Sequence, residues 1–107
     1  MIKKINQSIY KKKHLIYLLT NCVTGETYIG MAVCVDRSGK ETLAARFSRH
    51  VGRAFNQDKS WNLCKSIRKY GPDVFHKEII CFVRGKAEAH ALETKLKKEG
   101  CPELNSV

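Results

Sequence analysis

The spacing of apolar positions changes several times along this chain, and each change marks an element. Residues 14–20, His-Leu-Ile-Tyr-Leu-Leu-Thr, are almost wholly apolar, which suits a strand covered on both faces. Residues 27–34 read as its hairpin partner across a polar stretch that holds Thr24-Gly25-Glu26. Asp36-Arg37-Ser38-Gly39-Lys40 has turn chemistry and predicts a loop. From Thr42 to Asn56 the period lengthens: Leu43, Phe47, Val51 and Ala54 recur at three- and four-residue steps, the signature of an amphipathic helix. Residues 60–70 predict a second helix, with Ser60 as its cap, Trp61, Cys64 and Ile67 facing inward, and Gly71-Pro72 as its stop. Residues 74–83, VFHKEIICFV, read as a third strand. Residues 86–99 read as a third helix, striped by Ala89, Leu92 and Leu96 and halted by Gly100 and Pro102. The order ββααβα predicts an α+β fold: a small mixed, mainly antiparallel sheet of about three strands flanked by helices.

Composition narrows what such a domain meets. The 107 residues suffice for one domain, and 43% hydrophobic content supports a modest core. Twenty Lys and Arg against ten Asp and Glu leave a formal charge of +10, a surplus that favours a polyanionic partner. Nucleic acid ranks ahead of anionic membrane, because no basic amphipathic helix with a bulky apolar face is present. Residues 1–13 alternate Ile with Lys, Asn and Gln and end in Lys11-Lys12-Lys13; they read as a basic arm or an edge strand ahead of a domain at 14–107. The five cysteines lack zinc-ligand spacing, and Cys22 and Cys101 read as free thiols in a reducing compartment. With no secretory or membrane-spanning stretch in view, the expected location is cytoplasmic.

Two helices carry candidate chemistry. On a helical wheel, Arg46, His50 and Arg53 fall on one stripe beside the apolar face of the first helix. Arginine clamps a phosphate with two parallel hydrogen bonds, and histidine passes a proton near neutral pH. From this helix alone, a flank that is basic because the whole protein is basic is the plainer reading. On the third helix Glu93 flanks the apolar stripe from one side, and Glu88 and Glu99 lie toward the other. A carboxylate beside the core can hold a hard cation such as Mg²⁺; three ordinary solubilising surface glutamates are the alternative, and wheel geometry does not choose among them.

The order of these features resembles the GIY-YIG nuclease family. LIY at 15–17 and YIG at 28–30 flank a TN…TGE turn, LAARFSRH at 43–50 gives an arginine followed by a histidine, and SIRKYGPDVFHKEII spans 66–80. AHALETKL at 89–96 contains Glu93, and ELNSV supplies Asn105. Leu15 stands where the first motif has glycine, and residues 31–42 are long for the family, so Arg37 rivals Arg46 for the arginine role. The resemblance implies a metal-dependent DNA endonuclease. Tyr17 would act as general base on the attacking water, and Arg46 would stabilise the charged transition state. Glu93 would hold one Mg²⁺ or Mn²⁺ per active site. His50 would assist proton movement, Tyr28 would position water or phosphate, Gly30 would let backbone approach the substrate, and Asn105 would orient a side chain or a phosphate. An Arg- and His-rich site with a metal nearby would ease ionisation of Tyr17. Lys11, Lys12, Lys13, Arg53, Lys65, Arg68 and Lys69 would contact DNA phosphates without regard to sequence. Because the chain stops soon after Asn105, selectivity is expected to come from DNA shape, a homodimer or a separate recognition partner. The rival expectation is a non-catalytic nucleic-acid-binding module on the same scaffold.

Overall fold

The structure, a computed structural model, describes residues 11–57 and 60–105. Three strands and three helices follow in the predicted order: β1 Lys13–Asn21, β2 Thr27–Val33, α1 Lys40–Asn56, α2 Asn62–Tyr70, β3 Phe75–Arg84 and α3 Lys86–Gly100. The sheet order is β2-β1-β3, with both pairings antiparallel. The expected α+β fold is therefore present. The central position of β1 explains its nearly unbroken apolar run: it is paired on both edges and buried along most of its length. Its register with β3 shifts between Ile16 and Tyr17, an irregularity of the kind that re-aims side chains beside functional sites.

Alternation along β1 sends Leu15, Tyr17 and Leu19 into one core with Leu43, Phe47 and Ala54 of α1 and Leu63, Cys64 and Ile67 of α2. Each large apolar side chain buried here contributes about 1.5–3 kcal/mol. The helix α3 packs against all three strands and buries Ala89. Leu15, where a glycine was expected, is fully buried in this core and pairs with Ala32 and Phe82. The strand accommodates it as ordinary packing.

The segment between β2 and α1 is built around Asp36. Its carboxylate accepts hydrogen bonds from the Thr42 hydroxyl at 2.6 Å and from the Thr42 and Glu41 amides at 3.0 and 3.1 Å. It thereby satisfies amides that α1 leaves without helical partners. These bonds, the Thr42 hydroxyl first, lower the Asp36 pKa to about 2. Gly39 just before the helix has φ 79°, and a Cβ there would meet Leu15, Ile79 and Phe82 at 2.9–3.0 Å.

Two local expectations fail. Helix α2 begins at Asn62, so Ser60 is not its cap; Trp61 occupies the cap position without a side-chain cap bond and remains 38% exposed. The later start leaves Trp61 ahead of the inward stripe, while Cys64 and Ile67 are buried in it as expected. At the other end of the chain Gly100 is the last residue of α3, and Cys101 takes the left-handed conformation with φ 46°. None of the five cysteines is in a disulfide.

Candidate active site

The hairpin β1–β2 places Tyr17 directly opposite Gly30. A Cβ on Gly30 would collide with the Tyr17 hydroxyl and ring. Gly30 thus serves the tyrosine: its missing side chain is the space in which the phenol lies. The expectation that Gly30 admits substrate backbone gives way to this packing role.

From α1, His50 reaches the same point. Its Nε2 lies 2.9 Å from the Tyr17 hydroxyl, and both residues are buried, at 4% and 2% exposure. Tyr28 completes the corner, its ring 5.2 Å from His50 in an edge-to-face arrangement and 6.2 Å from Tyr17. His50 Nδ1 is the buried side-chain polar atom left without a hydrogen-bond partner among the described residues.

Electrostatics sets the protonation of this corner. Burial, and secondarily Arg53, Arg46 and Arg49, pulls the His50 pKa down to about 4, so the imidazole is neutral at pH 7. Tyr17 is pushed far above the ordinary phenol value by burial first, then by Tyr28, with Glu93 adding to the effect and Arg46 opposing it. Tyr28 is raised by burial and by Glu93. Without a metal, desolvation outweighs the arginine charge at Tyr17; the expectation that its ionisation is eased counted on a nearby metal as well as on Arg and His. Arg46 is electrostatically coupled to both phenols and to His50. Arg37 stands exposed in the loop, its carbonyl accepting a bond from Lys13 Nζ at 2.8 Å.

Glu93 projects from α3 with 12% side-chain exposure and pairs with Lys97 at 3.4 Å. The sequence reading passed over Lys97, although its four-residue spacing from Glu93 is the signal for such a pair. No cluster of three or more His, Cys, Asp or Glu residues suited to a metal occurs among the described residues. The donor set for a cation is thus one carboxylate, now holding an ammonium ion. That fits a hard cation taking one protein carboxylate, with waters and phosphate oxygens for the rest, and fits nothing with an all-protein cage.

A cleft of about 240 Å³ opens on this corner, lined by Tyr28, His50, Trp61, Lys97 and Asn105 among others. Tyr17 lies behind that wall. Asn105 donates to the Ile29 carbonyl and accepts from the Ile29 amide, both at 2.8 Å. It clips the outer edge of β2 and does not orient another side chain.

The remaining basic residues scatter. Lys11 pairs with Glu88, and Lys12 with Lys86 and Arg46 lines a separate groove of about 670 Å³. Lys13 is the first residue of β1 and lies over the Phe82 ring at 4.6 Å; residues 1–10 of the expected arm lie outside the described residues. Arg68 donates to the Ala54 carbonyl at 3.0 Å, tying α2 to α1. Lys65 and Lys69 border a third cleft with Glu26 and Glu103. Arg53 stacks its guanidinium 5.7 Å from the centre of the Trp61 ring. Trp61 and Lys97 are the site residues that periodicity alone did not single out.

With this geometry in place, comparison with known proteins is informative. The chain is 31% identical over 91 residues to a protein of Enterobacteria phage T4 named as a candidate endonuclease, segD. The aligned region covers 85% of this chain and 34% of the relative. The chain therefore spans about a third of the length of the relative it matches. No protein-family model and no solved structure matches it. No helix among the described residues is long and apolar enough to cross a membrane.

Proposed function

We propose that the chain is a nuclease domain that hydrolyses DNA phosphodiester bonds in the GIY-YIG manner. The hydrogen bond between the buried Tyr17 hydroxyl and the neutral imidazole of His50 carries this reading, and the resemblance to a phage protein named as an endonuclease agrees with it. A phenol whose pKa is raised is a poor free base, and ionising it ahead of reaction would be costly. The same phenol becomes competent if its proton leaves as it accepts another. Water attacks the phosphorus and gives its proton to the Tyr17 oxygen; the Tyr17 proton moves to His50 Nε2; the P–O bond to the leaving 3′ oxygen breaks. His50, neutral at pH 7 because burial and then the nearby arginines lower its pKa, has a ring nitrogen free to take that proton. The same lowering makes it a weak base in the free protein, so the added negative charge of bound phosphate is needed for the transfer.

Arg46, which acts electrostatically on Tyr17, Tyr28 and His50, would oppose the added negative charge of the transition state. Tyr28, on the cleft wall, positions water or phosphate. Mg²⁺ or Mn²⁺ would be held by Glu93 once Lys97 yields the carboxylate, and when bound supplies Lewis-acid stabilisation of the leaving oxygen. The seven basic residues named from the sequence remain the proposed phosphate contacts, with Lys12, Lys65 and Lys69 the most exposed of them.

A second reading, a DNA-binding module without catalysis, draws on one observation: Glu93 is already neutralised by Lys97 and Tyr17 holds its proton firmly. Incubation of supercoiled plasmid with the protein and Mg²⁺, against EDTA, separates the two. The nuclease reading expects metal-dependent nicked or linear product. DNA retention without cleavage, in either Mg²⁺ or Mn²⁺, would select the module.

A further inference from the structure

Trp61 stands at the start of α2, beside the cleft. It occupies the cap position of α2, where an oxygen-bearing side chain is favoured and an indole accepts nothing. It is also 38% exposed, so it is not core. Of the exposed large apolar side chains among the described residues, Trp61 is the one that lines the cleft with Tyr28 and His50. Arg53, from α1, lies against the ring and brings a positive charge to the same lip of the cleft.

An exposed aromatic ring flanked by arginine is the arrangement on which nucleic-acid bases stack, each base contributing about 1–3 kcal/mol whatever its identity. We propose that Trp61 is a stacking platform for a base next to the phosphate bound in the cleft, with Arg53 contacting the adjoining backbone. This rests on the nuclease reading of the same cleft and specifies its substrate class. Inside a duplex both faces of a base are covered by its neighbours. A base stacked on Trp61 is therefore unpaired or displaced, and the substrate is DNA with a single-stranded, frayed or branched segment beside the scissile bond.

Trp61 is the chain's single tryptophan, so its fluorescence reports this contact directly. The protein in EDTA is titrated with a single-stranded oligonucleotide and, separately, with the same sequence as a blunt duplex. Strong quenching by the single strand and weak quenching by the duplex are expected. Trp61→Leu should weaken single-strand binding roughly tenfold or more, whereas Trp61→Phe, which keeps an aromatic face, should recover most of the loss. Circular dichroism and urea unfolding of each variant verify that the fold is intact. Equal quenching by both DNAs, no quenching by the single strand, or a leucine variant that binds as tightly as the parent overturns the proposal. Plasmid cleavage by the parent protein keeps the two readings apart: cleavage without selective quenching removes the stacking role alone, and selective quenching without cleavage leaves the platform and removes the nuclease.

Discussion

Strands β2 and β3 flank β1 on opposite edges with the same antiparallel pairing, yet they have different relations to it. On the β2 side, a bare glycine faces Tyr17, Tyr28 leans on His50, and Asn105 clips the outer edge at Ile29. On the β3 side, Ile79 faces Tyr17, most side chains are exposed, and Ile80 and Phe82 lie 41% and 44% open. The β2 edge is shaped around one phenol, while β3 completes the sheet. The candidate site residues of this small domain are gathered where packing is tight, which is why burial is the first cause of the shifts at Tyr17, Tyr28 and His50.

The contrast predicts a graded set of responses. The largest is pH-dependent. Because the His50 pKa falls from 6.5 to about 4 on folding, the unfolded chain binds its proton first as pH drops. Stability contributed by the neutral imidazole is complete above about pH 6.5 and is lost progressively toward pH 4, by at most roughly 3 kcal/mol. Asp36, with its pKa lowered from 3.8 to about 2, adds a further loss at lower pH. Urea unfolding from pH 7 to pH 4 should show the first decline in the parent protein and a flatter curve in His50→Gln.

Next in size is Gly30→Ala. The added methyl collides with the Tyr17 hydroxyl and ring, and relief requires shifting a buried ring, which costs about 1–3 kcal/mol. Pairing it with Tyr17→Leu should recover part of that loss, since the colliding ring is gone; a double variant no better than the sum of the singles would mean that Gly30 matters for another reason. Asn105→Ala removes two bonds to the Ile29 backbone and should destabilise by about 1–2 kcal/mol, with hydrogen exchange rising at Ile29 first. On β3, Phe82→Ala should cost about 1 kcal/mol or less, and no cleavage activity should be lost. A larger effect at Phe82 than at Gly30 would erase the distinction between the two edges.

The β2 edge was also the more legible from sequence. Periodicity sufficed for the order of elements, because a doubly paired strand and amphipathic helices leave distinct spacings in Leu15–Leu19 and Leu43–Ala54. Tyr17, Tyr28 and His50 were named from motif order, and the fold brings all three together. Roles that depend on three-dimensional packing were less accessible. That Gly30 makes room for Tyr17 requires knowing the strand register, and that Tyr17 is harder to ionise requires knowing its burial. Trp61 was misread because the helix boundary moved by two residues, which turned an expected core residue into a cleft residue. Lys97 has a pairing signal in its four-residue spacing from Glu93, but in a lysine-rich helix that spacing alone does not mark it as a cleft residue.

The most direct test of the central claim is plasmid cleavage by the parent protein, Tyr17→Phe and His50→Ala, each with Mg²⁺ and with EDTA, after their folding has been verified. A proton relay through Tyr17 and His50 predicts metal-dependent cleavage by the parent and a loss of about 10²-fold or more in each variant. Cleavage by either variant at the parent rate would contradict the relay and return Tyr17 and His50 to the core as packing residues.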